Sequence, residues 1–174
     1  MLRLQGEYEL ALENHKKWLA IEEAVYANKN HPSIAGTYQS IGLLHKSQGQ
    51  YKQALENFEK SLGMYLAVYG YVDHPSIANS YHNIGSADKS QEKYHQALRN
   101  YDKCLTMYQA VYGNVQHPDI ATCYENIGGA KEALGRYLEA REYYERCLDI
   151  RMAAYSSPNH PYTEETRRLL DGVQ

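Results

Sequence analysis

The sequence predicts an all-α fold, a solenoid of antiparallel helix pairs, and three observations predict it. The dipeptide His-Pro stands at His31-Pro32, His74-Pro75, His117-Pro118 and His160-Pro161, each 43 residues after the last. Residues 31–73 laid over 74–116 agree at 25 of 43 positions, so the spacing marks a duplicated unit and not a chance dipeptide. Within the unit, apolar residues recur at helical intervals and not at alternate positions. A fixed period of this size belongs to units that cannot bury their apolar faces alone and stack to do so.

The whole chain, 1–174, reads as a single array. Residues 1–30 match the last 30 positions of the unit, with Gly6 on Gly49, Tyr8 on Tyr51, Ala11 on Ala54 and Tyr26 on Tyr69. They form a trailing half-repeat. Full repeats follow at 31–73, 74–116 and 117–159, and residues 160–174 form a C-terminal capping helix.

Each full repeat contains two helices. The first starts near His31, because Pro32 suits the first helical position, where its missing N–H is not needed. It buries Ile34, Tyr38, Ile41 and Gly42, and Gly42, without a Cβ, marks where the second helix crosses closely. Ser47-Gln48-Gly49-Gln50 breaks the pattern, with Gly49 available for a left-handed turn. The second helix carries Tyr51, Ala54, Leu55, Phe58, Leu62, Tyr65 and Tyr69, an amphipathic stripe of about five turns. Gly70-Tyr71-Val72-Asp73 then returns the chain to the next His-Pro. In the last segment Thr163, Glu164 and Arg167 replace Ile34, Ala35 and Tyr38, the polar outer face that a capping element requires. The expected total is seven helices, with a frayed turn at residues 1–5 and no strand.

Composition excludes several classes. The formal net charge is −3 with both signs interleaved, so there is no basic stripe for nucleic acid. No apolar run approaches the roughly 18 residues of a membrane span, and no signal-peptide core is evident. Cys104, Cys123 and Cys147 make an odd count without CxxC spacing, which points to reduced thiols and a cytoplasmic setting. The 18 tyrosines recur at fixed repeat positions, so the Tyr38, Tyr51 and Tyr69 columns are read as packing. The recurring histidines stand at helix starts in no metal-ligand spacing, and no metal or cofactor is expected.

The repeat resembles the tetratricopeptide (TPR) family, in the long-period form found in kinesin light chains and in nucleotide-binding sensor proteins. The family pattern appears as Ile41-Gly42, Gly49, Tyr51, Ala54 and Phe58, and the junction of the kinesin-light-chain type as Asp73-His74-Pro75. The position that is normally a small Ala in the second helix holds Ser61, Cys104 and Cys147, where the cysteines act as small fillers. In the leading half-repeat that position holds Trp18.

The resemblance implies a right-handed superhelix whose concave surface is built mainly from the first helices. The face opposite the Ile/Tyr stripe would then be a peptide-binding groove. In repeat order it presents Gly36, Asn79 and Thr122; Gln39, His82 and Glu125; Ser40, Asn83 and Asn126; and Lys46, Lys89 and Glu132. Amide and hydroxyl groups there would bond the backbone of an extended peptide. In the family, Asn at the Ser40/Asn83/Asn126 position commonly holds ligand backbone, which carries over to Asn83 and Asn126 and fails at Ser40. The basic clamp of the chaperone-tail subclass is absent from these slots. Lys46, His82 and Lys89 lie toward the N-terminal side and Glu125 and Glu132 toward the C-terminal side, so acidic ligand residues are expected against the first two repeats.

An enzyme is not expected. Repeated residues cannot form the asymmetric constellation that catalysis needs, and no dinucleotide, P-loop or metalloprotease motif occurs. The unrepeated candidates Cys123, His82 and Glu125 show no base-and-orienter pairing. Two functions remain: an adaptor holding an extended peptide segment of a partner, and an assembly or sensor module acting through self-association or interdomain contacts. Trp18 bears on the second. The first half-repeat lacks a full preceding helix and retains Leu10, Leu12, Trp18, Leu19 and Val25. The indole therefore either folds back as a local plug or packs on another molecule or a missing upstream segment. The expectation is association through this edge, as a two-fold homodimer or with an absent domain.

Overall fold

The structure, a computed structural model, describes residues 2–26, 29–113, 116–155 and 160–173, with side chains from Gly6 onward. Among them are eight α-helices and no strand. They are α1 (Leu2–Val25), α2 (Pro32–Ser47), α3 (Tyr51–Tyr69), α4 (Pro75–Ser90), α5 (Tyr94–Tyr112), α6 (Pro118–Ala133), α7 (Tyr137–Tyr155) and α8 (Pro161–Gly172). The total exceeds the expected seven because the half-repeat and the terminal segment each contribute a helix. α1 runs from Leu2, so residues 2–5 are helical where the sequence reading has a frayed turn.

The leading helices α2, α4, α6 and α8 begin alike. Proline takes the first position, and the preceding histidine is extended, with its Nδ1 accepting a backbone N–H two residues on. The donors are Ser33 at 3.2 Å, Ser76 at 3.1 Å, Asp119 at 3.2 Å and Tyr162 at 3.4 Å. Imidazole thus does the capping usually left to Ser or Asp, satisfying a donor that the helix cannot. Each ring also stacks on the last tyrosine of the helix before it. The pairs Tyr26–His31, Tyr69–His74, Tyr112–His117 and Tyr155–His160 have centroids 3.6, 3.7, 3.7 and 3.8 Å apart. His-Pro and that tyrosine are one device, joining a trailing helix to the leading helix that follows.

Within a pair the helices cross where a side chain is missing. A Cβ on Gly42 would lie 2.5 Å from the Phe58 ring, on Gly85 2.8 Å from Tyr101 and on Gly128 2.7 Å from Tyr144. These rings are fully buried and continue the core into the next pair. Ala54 and Phe58 pack on Ile84 and Ala87 of α4, and Ala97, Leu98 and Tyr101 pack on Ile127 and Ala130 of α6. At the end of the array Val173 closes over Ala140 and Tyr144. The turns inside the pairs are left-handed at Gly49 (φ 73°) and Gly135 (φ 72°), and at Glu92 (φ 60°) where glycine is absent.

The cysteines fill small buried positions, and Cys104 Sγ lies 3.2 Å from Cys123 Sγ, both thiols free. The hydrogen bond with the Cys104 thiol, and after it burial, push the Cys123 thiol far above its ordinary range. One expectation for the last helix is corrected. Thr163 is not on an outer face but fully buried, while Glu164 is exposed. A hydroxyl takes the place of Ile34 because α8 turns its Thr163/Thr166 side onto α7, where Thr166 meets Cys147 and Arg151.

Candidate functional site

α2 approaches α4 and α4 approaches α6 directly, whereas no comparable close approach joins α3, α5 and α7. The leading helices therefore lie on the inner side of the curve. The sequence-predicted groove residues fall on these three helices, and the structure shows which are taken up by the scaffold.

Gln39 donates through Nε2 to Ser80 Oγ at 2.9 Å, tying α2 to α4. Lys46 Nζ donates to Ser86 Oγ, a second tie between the same helices. Lys89, one period later, lies over Gly129, where a Cβ would come within 2.5 Å of its Nζ. Burial lowers the affinity of Lys46 for its proton, and the like charge of Lys89 adds to this. Burial acts the same way on Lys89, and the carboxylates of Glu125 and Glu132 offset it only in part. Opposite charges on this face are thus neighbours and not separate ends of the groove. The uncompensated cation is the one toward α2.

The hydroxyl of Ser40 turns back to Gly36 O at 3.2 Å, and that of Thr122 to Pro118 O at 3.0 Å. Asn126 donates to its own helix, to Thr122 O at 2.9 Å. Asn83 is half-buried and Asn79 exposed on the same helix. The half-buried His82 stands edge-on to Tyr101 with centroids 6.0 Å apart.

Arg151 of α7 was not among the predicted residues, yet it organises this end of the face. It is buried, bridges Glu125 of α6, and donates to Thr166 Oγ1 at 2.6 Å and Tyr162 O at 3.0 Å. The period could have found it. The positions 22, 65, 108 and 151 hold Glu, Tyr, Tyr and Arg, so a charge replaces tyrosine at both ends. Glu22 is the counterpart of Arg151, buried and accepting from Ser33 Oγ and, at 2.7 Å, from Thr37 Oγ1. Each charge is held by the next leading helix, as a buried ion must be.

Trp18 is 55 % exposed on α1, beside exposed Leu10, Ile21 and Val25. It does not fold over the edge as a plug. No helix of the described residues is long and apolar enough to cross a membrane.

No curated protein matches this chain. Among solved structures it is similar to BtubC (BKLC) of P. vanneervenii, with 22 % identity and a TM-score of 0.85 over 98 % of this chain and 66 % of that one. The chain thus spans about two thirds of that relative. A kinesin-light-chain-like protein of P. anserina with nearly identical TPR-like repeats shares 22 % identity at a TM-score of 0.77, over 98 % of this chain and 79 % of that one. The first TPR of Spaghetti (RPAP3), bound to the HSP90 peptide SRMEEVD, shares 21 % at a TM-score of 0.57, over 82 % of this chain and 95 % of that one. At these identities the likeness is one of fold. The sequence model of the tetratricopeptide repeat family matches residues 1–67, 76–153 and 119–170, and with the helix pairs and crossings described above the chain belongs to that family.

Proposed function

We propose that this chain is a non-catalytic protein–protein interaction scaffold whose inner face holds an extended peptide segment of a partner. The observation that carries this reading is the row of half-buried polar groups on α2, α4 and α6, with Asn83 and Asn126 at equivalent places four residues after Asn79 and Thr122. Amides spaced along neighbouring helices match the alternating donors and acceptors of an extended backbone. The Spaghetti relative, with its bound HSP90 peptide, supports the general mode. The lysine ladder adds direction. Lys46, which no carboxylate offsets, favours acidic ligand residues over α2, while Glu125 and Glu132, beside Lys89, disfavour them over α6. The reduced thiols fit a cytoplasmic setting.

The test uses a partner recovered by pull-down and verified in a purified complex. Asn83→Ala with Asn126→Ala weakens its binding by about 1–3 kcal/mol at unchanged helix content, the range for orphaned hydrogen-bond partners. Titration calorimetry giving wild-type affinity for the double variant returns this face to an ordinary solvated surface.

A second reading, an assembly module, has its own observation in the exposed apolar stripe Leu10, Trp18, Ile21 and Val25 of α1. Its occupant on this reading is a second copy related by a two-fold axis. Covering an exposed indole is worth a few kcal/mol at about 25 cal/mol per Å². Sedimentation at tens of micromolar then shows a dimer for the wild type and a monomer for Trp18→Ser. Equal monomer masses sink this reading and leave the groove reading untouched.

A further inference from the structure

The trailing helices leave grooves between them on the side away from the inner face. Two of these grooves are related by the 43-residue period and differ in content. Between α5 and α7, the half-buried Tyr143 packs against the buried cluster that holds Leu98, Tyr101 and Ile127. Lys131 pairs with Glu139 at 2.8 Å and lies 5.3 Å from the Tyr143 ring centre, and the Arg146 guanidinium lies 5.7 Å from the same centre. The charges around that groove are taken up by one another and by the Tyr143 ring.

Between α3 and α5 the same positions read differently. Tyr143 becomes Asn100, Lys131 becomes Asp88, Glu139 becomes Gln96 and Glu142 becomes Arg99. Asn100 is shorter than tyrosine and donates to Asp88 Oδ2 at 3.0 Å. An open groove of about 510 Å³ results. Its floor is apolar, formed by Leu55, Leu62, Tyr81 and Ile84, and its α5 side carries Lys93, Arg99 and Lys103. All three cations are exposed, and among the described residues none has a carboxylate within ion-pair distance. Lys103 lies over the Tyr81 ring at 4.9 Å, which sets it at the groove mouth. The two acids lining the groove are Glu59 and the buried Asp88.

We infer that the α3–α5 groove is a second binding site, taking an acidic segment of a partner protein that places an apolar side chain on the floor and its carboxylates along α5. The cations favour a peptide over a small anion because they are strung out and do not converge. Lys93 to Lys103 spans about 15 Å of helix, the reach of roughly four or five extended residues. Lys93 also donates to Gln91 Oε1 at 2.9 Å. Exposed cations with no carboxylate in ion-pair distance, beside apolar side chains, complement alternating acidic and apolar side chains in charge and shape. The site lies on the opposite side of the leading helices from the inner face, so it stands independently of the groove proposed above.

The neighbouring groove supplies the test. Asn100→Tyr places in this groove the bulky ring that the chain carries one period later at Tyr143. The probe is a fluorescein-labelled peptide of alternating glutamate and leucine, followed by anisotropy. Wild type binds it saturably and more weakly as salt rises. Affinity falls about tenfold or more in Asn100→Tyr and in Arg99→Glu with Lys103→Glu, and stays unchanged in Asn83→Ala with Asn126→Ala. Should Asn100→Tyr fail to fold by circular dichroism, the charge-reversal variant carries the test alone. Wild-type affinity in the folded Asn100→Tyr or charge-reversal variant overturns the assignment, as does loss confined to the inner-face variant or no saturable binding. A dimer that disappears in Asn100→Tyr gives the groove to a second copy and likewise overturns it.

Discussion

The helix pairs α4–α5 and α6–α7 are built on one crossing and differ in what surrounds it. In both, a glycine receives a buried tyrosine ring, Gly85 with Tyr101 and Gly128 with Tyr144. Around α6–α7 the polar groups answer one another: Tyr144 donates to Glu132 at 2.6 Å, Lys131 pairs with Glu139, and the turn uses Gly135. Around α4–α5 the turn forces Glu92 into a left-handed conformation, and a buried carboxyl, Asp88, rests on an amide. The crossing recurs because an aromatic ring can lie that close to a helix only where a Cβ is missing. The surrounding polar groups are free to vary, and one pair has kept partners that the other has exchanged for exposed charge.

The largest effect should come from attacking what the pairs share. Gly85→Ala and Gly128→Ala each place a methyl against a buried ring and cost about 1–3 kcal/mol, since a packed core has no room to yield. Urea unfolding of the two variants checks this, and a cost confined to one pair breaks the claimed equivalence. A smaller effect should follow from what they do not share. Glu92→Gly relieves the left-handed residue and stabilises by about 0.5–1 kcal/mol, while Gly135→Glu loses a comparable amount. Equal midpoints for Glu92→Gly and wild type mean that the turn carries no such cost.

The smallest effect is tied to pH. Burial raises the Asp88 carboxyl above its ordinary range, with Asn100, Lys93 and Arg99 pulling it back only in part. The folded state therefore holds this proton more tightly than the unfolded state. Its contribution is complete at low pH and is lost as pH rises through the folded value. Asp88→Asn should raise the melting temperature at neutral pH, with the gain shrinking in acid. A gain that grows as pH falls would reverse the assigned direction. Lys131 at the same place in the next pair has its partner Glu139 and offers no such gain.

The crossings were legible because a glycine four positions after Tyr38, Tyr81 or Tyr124, facing an aromatic later in the repeat, states a close approach in local terms. The histidine columns were placed at helix starts, but their capping and stacking were not read, since imidazole is an uncommon cap and its tyrosine partner lies across a loop. On the inner face, the helices bearing Gln39, Lys46, Asn83 and Asn126 were identified. That Gln39 and Lys46 are already bound to Ser80 and Ser86 was not, because the bond joins helices some forty residues apart. Thr163 was misplaced for a related reason: a hydroxyl reads as surface until the helix that covers it is known.

Period, helix type and crossing points follow from residue spacing, because backbone sterics and helical geometry act over a few residues and repeat with the sequence. Which charges pair and which groove stays open depend on side chains that meet only when successive pairs stack. Arg151 finds Glu125 in the helix before it and Thr166 in the helix after it. Tyr143 packs onto the core beside one groove, and Asn100, at the same place in the period, lines an open one. Those outcomes turn on distances of a few ångströms between elements, which no spacing along a single chain records.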